Sequence, residues 1–187
     1  MLLPWDELNE IRTKIEATEE TVTNENGLPV KRYNKAKCLD IIYDYLVYAY
    51  DMGVDNVNEN MSTSYAPQDS EMRAVINEKV AGKDYVERVT EWAEKGKIDA
   101  ILRVAETDAH RVLNAASYAT AKKAKAKYKT WVTMQDDKVR DSHDYLLAMT
   151  IPIDDYFVTY NGDKALVPGQ FGVPEEDVNC RCILTYA

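Results

Sequence analysis

Two thiols and an imidazole are the most chemically pointed set in this chain of 187 residues: Cys180 and Cys182, separated only by Arg181, and His143, one of two histidines. Thiolate sulfur and imidazole nitrogen are the ligands of tetrahedral zinc, so His143, Cys180 and Cys182 are read as a candidate metal set, with zinc as the cofactor it would take. The Cys-x-Cys spacing departs from the usual Cys-x2-Cys knuckle, and the fourth ligand is open: Asp136, Asp137, Asp141 or a water could supply it. Two other readings stand beside zinc. One is a buried thiol pair with His143 hydrogen-bonded to backbone or a carboxylate. The other is a labile disulfide, which between positions i and i+2 closes a strained ring. The tail is predicted as a strand starting near Cys180, an arrangement that would turn both sulfurs to one face.

A second group of residues suits ion pairing. The stretch Asp136-Asp137-Lys138-Val139-Arg140-Asp141-Ser142-His143 is predicted as one helical loop, bringing Asp137, Arg140 and His143 or Asp144 to one side through i,i+3 and i,i+4 spacing. That could be an acid–base pair with a cation clamp, or a network that pins a β module to a helix, for which the planar fork of Arg140 is suited. His110, Arg111 and Asn114 share a long helix at adjacent turns, and Asn114 in a helix interior needs a partner that such a module could provide. Trp131 is read as core. Together His110, Arg111, Asn114, Trp131, Asp137 and Arg140 form the expected structural network. The sequence carries no nucleophile motif, phosphate-binding glycine loop or paired-metal signature, so the reading is that the chain is not an enzyme.

Lys122, Lys123, Lys125, Lys127 and Lys129 form a basic tract at the end of the same helix. Cations there are stabilised by the macrodipole, so a solvated helix end accounts for them. Contact with phosphates of nucleic acid, or with an acidic chain, is the alternative.

The elements that must position these residues follow from periodicity. Leu8, Ile11 and Ile15 predict a short helix over 4–20, followed by a turn-rich break from Thr21 to Pro29. From Tyr33, Cys38, Ile41, Ile42, Tyr45, Leu46 and Ala49 give a broad apolar stripe and a long helix reaching toward Val57. Ser62–Ser70 reads as a linker with Asp69 or Ser70 as the next cap. Gly82 and Gly96 separate further helices, and a long helix runs from Ile98 toward Ala126. Beyond Lys129 the texture becomes β, with Thr130–Met134, Ile151–Ile153 and Tyr156–Tyr160 as extended segments and Asn161-Gly162 as a turn. The fold class is therefore α+β, a mainly helical N-terminal body with a small C-terminal loop-rich β module. The expected organisation is an N-terminal helical region over 1–65, a helical region over 66–128 ending in the long helix, and the β module over 129–187.

Bulk properties narrow the function classes. A hydrophobic content of 45% with 29% charged residues fits a globular protein, and the net charge of −9 argues against nonspecific binding of the whole chain to nucleic acid or anionic membrane. No signal-peptide pattern opens the sequence and no apolar run approaches the roughly 20 residues of a bilayer span, so no membrane partner is expected. Three cysteines, with Cys38 far upstream, do not resemble a secreted disulfide framework; a cytosolic chain with reduced thiols or thiolate ligands is expected.

Three clusters occur in order: Glu106-Thr107-Asp108-Ala109-His110-Arg111-Val112-Leu113-Asn114, then Lys129-Thr130-Trp131 with Asp136 to His143, then Asn179-Cys180-Arg181-Cys182. This arrangement closely resembles the phage head-morphogenesis family of minor head proteins, the phage Mu F-like family. The likeness is best over about residues 75–187 and thin before Tyr65. Two departures are visible: Asp108-Ala109 stands where many relatives carry a glutamate before His-Arg, and Tyr145-Leu146-Leu147-Ala148-Met149 lacks the usual Asp-Gly turn. The resemblance implies a minor structural protein of a tailed-phage or prophage head, assembled in the bacterial cytoplasm. It further implies a place in the capsid interior near the portal, with portal protein, capsid and other head proteins as partners and packaged DNA as a further contact. The rival readings are a head-carried enzyme or effector using His143, Arg140 and Asp137, and an internal DNA-binding protein using the lysine tract.

Overall fold

The computed structural model describes residues 5–80 and 82–187; the reading of the extreme N-terminus therefore falls partly outside the described residues. Helix α1 (Trp5–Glu16) leads into two short strands, β1 (Glu19–Thr23) and β2 (Pro29–Tyr33), and then the long helix α2 (Lys35–Met61). Helices α3 (Asp69–Ile76), α4 (Tyr85–Glu94) and α5 (Ile98–Lys123) follow. The rest is β3 (Tyr128–Val132), α6 (Asp141–Asp144), β4 (Thr150–Pro152), β5 (Phe157–Val158), β6 (Lys164–Ala165), α7 (Pro174–Asp177) and β7 (Ile183–Tyr186). The architecture is α+β. No helix of the described residues is long and apolar enough to cross a membrane.

Capping fixes where the helices begin. Asn34 accepts from the Lys37 amide at 3.1 Å to open α2, and Asp84 and Glu87 form a reciprocal capping box on α4. The apolar stripes read from the sequence converge: Ile15, Ile42, Leu46, Ala49, Ile76, Val89, Ile101, Ala105, Ala109 and Val112 are buried in one cluster drawn from α1 through α5. Helices α2 and α5 approach closely at Gly53, where an added Cβ would lie 2.4 Å from the Leu113 carbonyl oxygen. Ser117 Oγ donates to the Gly53 carbonyl at 3.0 Å across the same crossing. A side chain at Gly53 would force the two longest helices apart.

The break expected at Thr21–Pro29 is instead an antiparallel hairpin, with Val22 opposite Val30. Its turn is tied by Asn24, whose Oδ1 accepts from the Asn26 and Leu28 amides at 3.0 and 2.9 Å. Both strands leave most side chains in solvent, so the alternation by which a half-buried strand is recognised is missing.

In the C-terminal part β3 is the central strand of a three-stranded antiparallel sheet, order β4-β3-β7, and β5 and β6 pair separately. Trp131, Leu146, Phe157, Val167, Cys180, Cys182 and Leu184 form a second buried cluster over this sheet. Asn161-Gly162 makes the expected turn, with Gly162 at φ 92°. The terminal strand starts later than the sequence predicts: the ladder opens at Ile183 opposite Val132, after both cysteines. The long helix also stops earlier, at Lys123, followed by Lys125 at φ 64°.

Candidate functional site

Cys180 and Cys182 lie in the loop between α7 and β7, so their convergence does not come from strand alternation. Asn179 takes the left-handed conformation at φ 57°, tolerated by asparagine better than by most side chains. The turn is then held from three sides. The Cys180 amide donates to the Asp177 carbonyl at 3.2 Å, Asn114 Nδ2 on α5 donates to the Cys182 carbonyl at 3.0 Å, and Arg140 donates to the Val178 carbonyl. Arg181, pointing away, makes a two-pronged ion pair with Asp136 at 2.8 and 2.6 Å.

His143 comes from α6, the short helix after β3. Its Nδ1 is 3.6 Å from the Cys180 sulfur and 3.5 Å from the Cys182 sulfur. The three ligand atoms lie within 4.8 Å of one another and all three residues are buried. Among the described residues no further His, Cys, Asp or Glu joins this group. The other imidazole nitrogen, Nε2, lies 3.0 Å from Glu176 Oε2, off the line of an ideal hydrogen bond, and Ser142 Oγ donates to the same oxygen at 2.7 Å. The ring is clamped between aromatics: Phe171 stacks on it at 5.5 Å and Trp131 meets it edge-on at 5.5 Å. The Cys180 thiol donating toward Cys182, together with burial, pushes Cys180 well above the ordinary thiol range, and the same bond draws Cys182 below it.

Glu176 and Asp177 are the members of this site that the sequence reading missed. Both are buried, at 4% and 2% exposure. Asp177 receives the Phe171 and Gly172 amides at 2.8 and 2.7 Å and so shapes the loop that carries Phe171. Their signal is Pro174 at the first position of a short helix, a placement that fixes α7 but does not tell which carboxylate turns inward.

The expected network residues divide into groups. Arg111, 1% exposed, donates to Asp108 at 3.1 Å, to the Val75 and Ile76 carbonyls at 2.8 and 3.2 Å, and to Glu78 at 3.2 Å. Arg88 donates to the same Asp108 at 3.0 Å, so a carboxylate with no exposed surface is held by two guanidiniums. Gly169 of the C-terminal loop packs on Arg111, where a Cβ would stand 3.3 Å from the arginine's own. Asn114 and Arg140 both reach the cysteine loop, and Trp131 is fully buried against Phe157. His110 is buried, its Nδ1 has no partner among the described residues, and desolvation pulls its pKa down to about 4.

Asp137 is exposed, in the turn that precedes α6 rather than in a helical loop, and it is the neighbouring Asp136 that pairs with Arg181. The geometry therefore joins Arg140 and His143 to one loop without Asp137. The lysine tract is not a single strip. Lys122 pairs with Asp154 and Lys123 with Glu71 at 3.8 Å, while Lys129 is buried and donates to the Leu166 carbonyl at 2.8 Å. Lys125 and Lys127 are exposed.

The family described as Phage Mu protein F like protein matches residues 63–185, more than half of the chain. The chain belongs to the Phage Mu protein F like family. The Mu F-like segment thus takes in the long helix, the sheet and the cysteine loop. Minor head protein GP7 of Bacillus phage SPP1 is 34% identical over 85 residues, covering 44% of this chain and 28% of that protein. A protein named NAD(+)–arginine ADP-ribosyltransferase EFV, from Enterococcus faecalis (strain ATCC 700802 / V583), is 34% identical over 108 residues, 54% of this chain and 22% of that protein. The Mu F-like chain thus spans about a quarter of the length of each of these curated relatives. No solved structure matches it.

Proposed function

We propose that this chain is a minor structural protein of a tailed-phage or prophage head that sits in the capsid interior and docks on the portal through its C-terminal module. The observation that carries the docking is a tyrosine-rich face. Along β5 and its flanks, Phe157 and Thr159 are buried while Tyr156, Val158 and Tyr160 alternate outward, exposed by 56%, 38% and 58%. Tyr145, also exposed, meets Tyr160 edge-to-face at 6.1 Å. Tyrosine gives apolar contact area with a hydroxyl that tolerates a wet rim, the composition enriched in protein interfaces. Beneath this face lies the second core cluster, so the face is backed by packed side chains and suits docking without rearrangement.

Co-expression of the chain with the portal protein of its own phage tests this. The portal is expected to co-purify with the chain and to be lost when Tyr145 and Tyr160 are both changed to serine. Capture of the portal unaffected by that double change would remove the face from the interface, and absence of capture by the parent chain would remove the portal as partner.

A second reading, a head-carried effector, is favoured by one finding: the relative named as an arginine ADP-ribosyltransferase is much longer than the segment it shares with this chain. The shared module would then serve as the part that brings an enzymatic segment into the head. Within this chain His143 is enclosed by Glu176, Phe171 and Trp131, an environment suited to holding a loop more than to meeting a substrate.

A further inference from the structure

The geometry points to a mononuclear zinc site in which His143 Nδ1 and the sulfurs of Cys180 and Cys182 are three of the ligands, closing the C-terminal module as a structural staple. A zinc ion about 2.3 Å from sulfur and about 2.0–2.1 Å from nitrogen, at tetrahedral angles, sets nitrogen and sulfur about 3.6 Å apart. The two such separations here are 3.6 and 3.5 Å. Both nitrogen–sulfur edges therefore already have the lengths of the polyhedron, and all three ligand atoms lie within 4.8 Å of one another. A donor set of two sulfurs and one imidazole selects zinc over magnesium, calcium or manganese, which prefer oxygen.

The surroundings match what a metal-bound imidazole requires. A ligating histidine donates its second ring N–H to a carboxylate or carbonyl, which fixes the tautomer and raises ligand basicity. Glu176, buried and held by Ser142, is the carboxylate beside Nε2, 3.0 Å away though off the line of an ideal bond. The cysteine loop is fixed independently by Asn114, Arg140 and Asp177, so little ordering remains for the ion to impose. A cavity of about 10 Å³ bordered by His143 and Cys182 has room for about one water beside two of the ligands. On binding, each thiol releases its proton to solvent, and two thiolates then balance the doubly charged ion.

The test uses the full chain, purified reduced, and is independent of whether the portal is its partner. Titration with zinc against a chromophoric chelator should give one zinc per chain, and cobalt(II) in its place should show a thiolate-to-metal charge-transfer band. Cys180→Ser and Cys182→Ser should each weaken zinc binding at least about 100-fold, while Cys38→Ser, at a buried thiol remote from the loop, leaves the stoichiometry at one. Glu176→Gln, which keeps size and shape, should weaken binding by about 10–100-fold with an unchanged circular dichroism spectrum, the signature of a positioning residue. A reduced, folded parent chain that takes up no zinc, or Cys180→Ser and Cys182→Ser variants that bind it as the parent does, would overturn the assignment.

Discussion

Asn114 Nδ2 on the long helix donates to the Cys182 carbonyl 3.0 Å away, a bond that spans 68 residues of sequence. The same nitrogen also bonds the His110 carbonyl, so the amide ties the helix axis to the cysteine loop. Asn114→Ala would strand the buried Cys182 carbonyl, at an expected cost of about 1–3 kcal/mol. Urea unfolding of parent and variant reads that difference directly, and a variant as stable as the parent would mean that water replaces the amide.

Arg111, one turn before Asn114 on α5, is a second anchor. Arg111→Met keeps much of the side-chain volume but leaves Asp108, with no exposed surface, facing Arg88 alone, and deprives the Val75 and Ile76 carbonyls of a donor. Removing one partner of a buried ion pair typically costs about 3–5 kcal/mol. The melting temperature should fall accordingly. A small loss would show that Arg88 alone is sufficient for Asp108.

His110 makes stability fall with acid. Burial pulls its folded-state pKa down to about 4, below the ordinary value of 6.5, so the unfolded chain takes up a proton first as pH drops. The contribution is complete above pH 6.5 and is lost between pH 6.5 and about 4, amounting to about 3 kcal/mol at 1.36 kcal/mol per pH unit. Chemical denaturation across that window checks it. His110→Gln should flatten this part of the profile, and an equally steep variant would assign the slope to other groups.

Ala148 occupies the left-handed region at φ 60°, where its Cβ is unfavourable, while its amide donates to the Trp131 carbonyl at 2.9 Å. This turn forms without an Asp-Gly pair in the sequence. Ala148→Gly should stabilise the protein by about 0.5–1 kcal/mol, since strain relief at an exposed turn exceeds the added chain entropy of glycine. A lowered melting temperature would contradict this.

Tyr160 offers a graded test of the docking face. If the tyrosine face meets the portal, Tyr160→Ala should weaken the complex by about 2 kcal/mol, or roughly 30-fold, as truncation of an interface anchor does. The isolated chain should keep its stability, because more than half of the side chain already faces solvent.

How much of this was legible in the sequence depends on whether a residue's partner is local. The long helices were, because Ile101, Ala105, Ala109 and Val112 repeat at helical spacing and all face one core. The nearness of His143 to the two cysteines was legible in composition, but the route was not: loop bonds at Val178, Cys180 and Cys182 place the sulfurs, and the strand begins only at Ile183. Glu176 was hidden because Pro174-Glu175-Glu176-Asp177 has the look of an ordinary solvated helix start. The choice of Asp136 over Asp137 as the partner of Arg181 depends on a turn whose handedness no spacing rule encodes, with Gln135 at φ 54° just before it.

The central position of β3 also has a kinetic corollary. Its two neighbours are supplied by later chain, and the loop joining His143 to Cys180 and Cys182 spans 37 and 39 residues. Closing a loop of that length costs entropy before any contact rewards it, whereas the helices can nucleate on near neighbours. The helical layer should therefore gain hydrogen-exchange protection first and the sheet last, giving a refolding chain an interval in which Trp131 is still accessible to water.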